Sequence, residues 1–122
     1  MRTAQKALET SLAYFTAWSG GDMDAALRHV SPDVVVIAPP GRFEGADELR
    51  RFMEPFSRTV ITSAVVSGFG DDDTALLYYD TSTEVVASAP AAERHTVVDG
   101  LITELRIVFD RLPFEQARAA RV

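Results

Sequence analysis

Gly20-Gly21-Asp22 is the stretch from which the fold of this 122-residue chain is read. Upstream of it, Leu8, Leu12 and Phe15 repeat at i, i+4 and i+7, and Ala4 extends the stripe, which predicts an amphipathic helix over 4–19. Ala7, Ser11, Tyr14 and Trp18 form the adjacent row, so two large amphipathic aromatics flank the expected buried seam. The glycine pair supplies a left-handed helix stop, and Asp22 is an N-cap for a second helix. That helix is expected to run to about Val30, with Met23, Leu27 and Val30 inward, and to end at Ser31-Pro32.

Further along, Val34 to Ala38 is an apolar, β-branched run, the pattern of a strand covered on both faces. Pro39-Pro40-Gly41-Arg42-Phe43-Glu44-Gly45 then reverses the chain, with Phe43 in a short return strand. A third helix is predicted over 46–54 with Leu49, Phe52, Met53 and Phe56 on one side, ending or kinking at Pro55 before Phe56. The remainder reads as strands over 59–68, 74–87 and 94–98 and a last strand closing at Phe109. Asp99-Gly100 is a two-residue hairpin signal. Leu105, Ile107 and Phe109 alternate with Glu104, Arg106, Val108 and Asp110, and residues 112–122 read as a tail without assigned order. The expectation is a single α+β domain over 1–122 (core about 5–111), a cone of three N-terminal helices packed on a curved antiparallel or mixed sheet.

Composition narrows the function classes. A hydrophobic fraction of 47% and a charged fraction of 25% suit an ordinary globular domain. The net charge is −6 and the basic residues are scattered, which argues against nucleic acid and anionic membranes. Without cysteine there is no disulfide, thiolate nucleophile or sulfur-ligated metal. The two histidines are far apart, and Asp71-Asp72-Asp73 lacks the ligand spacing of a calcium loop, so no metal and no cofactor is expected. Met1 to Lys6 lacks a secretory apolar stretch, and no run approaches the ~20 apolar residues of a membrane span. A cytoplasmic location is the expectation.

Three fragments together resemble the SnoaL-like group of the nuclear transport factor 2-like superfamily, over about residues 5–111. They are Tyr14-Phe15-Thr16-Ala17-Trp18-Ser19-Gly20-Gly21-Asp22-Met23-Asp24, then Gly41-Arg42-Phe43-Glu44-Gly45 before a helix, and Asp99-Gly100-Leu101-Ile102 with Phe109-Asp110 closing the last strand. The resemblance implies an α+β cone around an apolar pocket, often dimerised through the outer face of its sheet. It spans isomerases, cyclases, dehydratases and epoxide hydrolases, so it does not fix the chemistry. In the ketosteroid isomerases of this superfamily a carboxylate base precedes a proline after the second helix; the matching residue here is Ala38, before Pro39-Pro40. Tyr14 matches the tyrosine that donates to the oxyanion in those enzymes.

Among side chains able to do chemistry, His95 shares a strand face with Glu93 and Val97. Facing the cone interior, it would act as acid or base, oriented by Glu93 or by a carboxylate of a neighbouring strand. Asp80 lies mid-strand, sharing a face with Leu76, Tyr78 and Ser82; Leu77, Tyr79, Thr81 and Thr83 take the other, and the pattern suits either face inward. Asp80 with His95 is the expected acid/base pair, and Tyr14, Trp18, Phe52, Phe56 and Tyr78 the expected lining. Two readings stand: a small apolar or aromatic molecule bound and turned over without a cofactor, as by an isomerase, cyclase or dehydratase, or a non-catalytic ligand-binding or assembly module. Either is expected to be a homodimer.

Overall fold

The computed structural model describes residues 6–120. Helix α1 covers Lys6–Ser19, and its buried residues are Ala7, Ser11, Tyr14, Phe15 and Trp18. The row expected to flank the seam is therefore its centre, and Leu8 and Leu12 are half-buried beside it. Small side chains at 7 and 11 let the helix approach the sheet closely, while Tyr14 and Trp18 fill the depth of the core. Ala4, expected to extend the stripe, lies outside the described residues.

Gly21 takes the left-handed conformation at φ 87°, and Asp22 Oδ1 accepts the Ala25 N–H at 2.9 Å to start α2, Met23–Leu27. The helix stops earlier than expected, and strand β1, Val30–Ala38, begins at the residue assigned to its end. Ser31-Pro32 fits inside this strand because its ladder is interrupted between Val30 and Val35, where a missing N–H forfeits no bond. Strand β2, Gly41–Glu44, returns antiparallel to β1. Helix α3, Ala46–Ser57, continues through Pro55. Pro55 loses its own bond to the preceding turn. The last turn is held instead by Arg58 N–H on the Glu54 carbonyl at 3.1 Å and by the Ser57 hydroxyl on the Trp18 carbonyl. Phe56 is thus carried on the helix.

Strands β3 (Val60–Gly70), β4 (Thr74–Thr83), β5 (Ala91–Val98) and β6 (Leu101–Phe109) complete a six-stranded sheet of order β2-β1-β6-β5-β4-β3. All neighbours are antiparallel except β1 with β6. Register shifts in β3 and between β5 and β6 bend these strands, so the sheet curls around its helices. Asp99 (φ 51°) and Gly100 (φ 78°) form the hairpin that the sequence signals. The Asp71-Asp72-Asp73 turn closes on itself: Asp71 Oδ1 accepts the N–H of Asp73 at 3.1 Å and of Thr74 at 2.9 Å, which holds its carboxyl below the usual range.

A fourth helix, α4 (Leu112–Ala120), forms in the tail to which the sequence reading assigns no order. It buries none of its residues, but Phe114 sits 6.0 Å, ring to ring, from both Phe56 and Phe109. The core lies between α1, α3 and the inward sheet face, built from Val34 and Val36, Leu77 and Tyr79, Val97, Leu105 and Ile107. Among the described residues no helix is long and apolar enough to cross a membrane.

Candidate functional site

A cavity of about 320 Å³ opens at the end of the core away from the start of α1. One wall is α3, through Phe52, Met53 and Phe56. The opposite wall is the inner face of β4, β5 and β6, through Tyr79, Ala91, Ile107 and Phe109, with Pro40 and Ala89 at the edges. The third side is the C-terminal segment, with Arg111 just ahead of α4 and Phe114, Glu115 and Arg118 on it, at the mouth. The lining is aromatic and aliphatic inside and charged only at the rim, and the volume falls in the range of small-molecule sites.

Behind the cavity runs a buried polar chain. Strand alternation on β5 turns Glu93 and His95 inward together, and both are sealed from solvent. His95 Nε2 lies 2.8 Å from Glu93 Oε1, and His95 Nδ1 lies 2.6 Å from Ser11 Oγ on α1. Glu93 Oε2 accepts the hydroxyl of Tyr79. The ring of Tyr14 stands edge-on to His95, 5.5 Å between centroids. Tyr79 donates to one carboxylate oxygen of Glu93, and the two ring nitrogens of His95 meet the other carboxylate oxygen and the Ser11 hydroxyl, so each of these polar groups has a partner. Tyr79 alone belongs to both the chain and the cavity wall.

Burial sets the electrostatics. Desolvation pushes the Tyr79 phenol well above its ordinary value, and the Glu93 charge and the hydrogen bond to it add to the rise. Tyr14 is raised in the same way, first by burial and then by Glu93. Serine, histidine and carboxylate in sequence have the connectivity of a nucleophilic triad. Ser11 and His95 are fully buried, however, and neither lines the cavity, so no substrate meets the hydroxyl. The arrangement positions Tyr79 and locks α1 to the sheet.

Of the residues singled out in the sequence, Phe52 and Phe56 line the cavity and His95 lies behind it. Tyr14 and Trp18 are completely buried and do not reach the cavity; Trp18 packs 5.8 Å from Phe56 and 5.5 Å from Tyr79, ring to ring. The cavity is bounded by α4 and not by α1. The Tyr14 hydroxyl has no hydrogen-bond partner among the described residues.

Two expected roles meet a different placement. Tyr78 is 46% exposed on the outer sheet face, and Asp80 shares that face. Asp80 caps the β4–β5 connection, accepting from Ser88 Oγ at 2.9 Å and the Ala89 N–H at 2.9 Å. It therefore cannot pair with His95 across the sheet. Tyr79, which sequence reasoning passed over, takes the inward place because β4 presents Leu77, Tyr79, Thr81 and Thr83 to the core.

Comparison with known proteins agrees with this architecture. Residues 12–105 match the family model of the SnoaL-like domain. The crystal structure of a Kribbella flavida DSM 17836 protein is 61% identical, with 97% of this chain and 98% of that one covered at TM-score 0.94. A predicted SnoaL-like polyketide cyclase from Jannaschia sp. CCS1 is 17% identical, covers 98% and 96%, and gives TM-score 0.81. TerC, co-crystallised with polyporic acid, is 17% identical, covers 92% and 97%, and gives TM-score 0.73. At that identity the last two speak to fold alone. No curated protein matches in sequence. The chain belongs to the SnoaL-like domain family.

Proposed function

We propose that the chain binds one small, largely apolar molecule in the cavity between α3, the ends of β4–β6 and α4. The observation that carries this is the cavity itself: about 320 Å³, walled by Phe52, Phe56, Ile107 and Phe109. Unfilled apolar space of that size forfeits packing energy, and a ligand restores it. TerC, a remote relative in fold with polyporic acid in its crystal, supports the reading by analogy.

Binding without turnover is the form of the proposal we adopt. Cofactor-independent isomerisation, cyclisation or dehydration needs a proton acceptor against the substrate. The ionisable residues lining the cavity are Tyr79, Arg111, Glu115 and Arg118. Tyr79 holds its proton against Glu93, and the others stand at the rim. Ala38 occupies the place where the resemblance calls for a base. The test is calorimetric titration with small arenes such as indole and naphthalene. A saturable one-to-one response is expected; a response that never saturates contradicts the proposal.

A second proposal concerns the outer face of the sheet. Phe69, Leu76, Tyr78 and Val108 are exposed there, Phe69 by 70%. Cross-strand pairing places them in two adjoining rows, with Arg94 in salt-bridge range of Glu104 at 3.6 Å beside them. A contiguous apolar face of this kind suits a twofold contact between two copies.

A further inference from the structure

The cavity's polar groups are distributed unevenly, and that distribution bears on what it holds. Phe114, Glu115 and Arg118 follow one another at helical spacing on α4, and Arg111 immediately precedes the helix, so this segment brings two guanidiniums and one carboxylate to the mouth. Arg111 Nη2 is 3.4 Å from Glu115 Oε2, which offsets its charge. Arg118 makes no ion pair among the described residues. Among the described residues the cavity lining thus carries two guanidiniums and one carboxylate, in a chain of net charge −6.

The floor has the opposite character. Its one hydroxyl, on Tyr79, is already donated to Glu93, so it offers no free donor to an incoming anion. The Glu93 carboxylate behind it repels a second negative charge, and the surrounding walls are apolar. A charged head placed at the floor would be desolvated without a partner, whereas at the mouth it keeps water and meets a guanidinium.

Resting on the binding proposal above, we infer that the ligand is an apolar monoanion, an aryl or alkyl carboxylate. Its hydrocarbon body lies against Phe56, Ile107 and Phe109, and its carboxylate faces Arg118 at the mouth. The guanidinium fork matches a carboxylate in two parallel hydrogen bonds, so Arg rather than a point charge suits the head group.

Calorimetric titration with 4-alkylbenzoates of increasing chain length, against the matching 4-alkylbenzyl alcohols, tests this on the full chain. Arg111 and Arg118 are both exposed, so Arg118→Gln and the double variant Arg111→Gln/Arg118→Gln retain the fold for comparison. The expected result at low salt is a benzoate bound about fivefold more tightly than its alcohol, the size of a well-placed exposed ion pair. That preference disappears in Arg118→Gln and shrinks as salt is raised. Alcohols binding as well as benzoates, or a preference that survives in the double variant, overturns the carboxylate inference and leaves the apolar site standing. If no member of either series binds, the cavity is not a ligand site and both proposals fall.

Discussion

Glu93 and His95, two residues apart on β5, are joined by a 2.8 Å contact between Oε1 and Nε2, with both side chains sealed from solvent. The same carboxylate takes the hydroxyl of Tyr79, so one buried carboxylate holds two partners. Glu93→Leu keeps comparable volume but strands both partners. At roughly 1–3 kcal/mol for each unsatisfied buried group, the loss is about 2–6 kcal/mol in urea unfolding. Asp80→Ala removes exposed-side bonds to Ser88 and Ala89 and costs about 1 kcal/mol. An Asp80 variant less stable than the Glu93 variant would show that the polar centre had been assigned to the wrong face.

Alkaline titration reads the same network. Tyr14 and Tyr79 both hold their protons above the ordinary phenol value in the fold, chiefly through burial. The unfolded chain gives those protons up first, so the native state binds more protons at high pH and stability falls as pH rises past about 10. Phenolate absorbance should therefore report no more than one of the three tyrosines until the fold is lost. Smooth ionisation of all three with near-ultraviolet dichroism intact would contradict the burial of these rings.

Helix α4 is attached mainly through Phe114, packed against Phe56 and Phe109. Two such aromatic contacts hold it with roughly 1–3 kcal/mol. Phe114→Ala should expose α4 to trypsin after Arg111 several-fold faster while leaving the urea midpoint almost unchanged, since α4 buries no residue. Equal cleavage rates would mean that the helix is held by something other than this ring.

Leu76→Glu places a charge in the middle of the apolar outer face, beside Phe69. Sedimentation at micromolar concentration is expected to give a dimer for the natural chain and a 13.3 kDa species for the variant. A natural chain that sediments at 13.3 kDa would remove the proposed twofold contact.

The sequence carried the fold further than the site, for physical reasons. Gly21 with Asp22 and Asp99 with Gly100 each allow few backbone conformations, so the helix stop and the last hairpin could be placed from residue type alone. Strand alternation at i and i+2 makes the shared face of Glu93 and His95 readable. The β4–β5 connection is irregular over 84–90, and nothing local fixes its parity. Both faces of β4 carry a leucine and a tyrosine, so Tyr78 and Tyr79 were interchangeable until the structure set Tyr79 opposite Ala91. Helix α4 escaped notice because it buries nothing and is held by contacts made far away in sequence. With it went Arg111 and Arg118, the charges at the cavity mouth.

The cavity's role as a binding site is tested most directly by filling it. Ala89 stands at its edge, and Ala89→Phe projects a ring into the space a ligand would occupy. Calorimetry of an arene or benzoate that binds the natural chain should show affinity reduced at least about tenfold in this variant, a loss of roughly 1.4 kcal/mol, with thermal unfolding no earlier than before. Undiminished affinity in Ala89→Phe would place the bound molecule elsewhere and contradict the account.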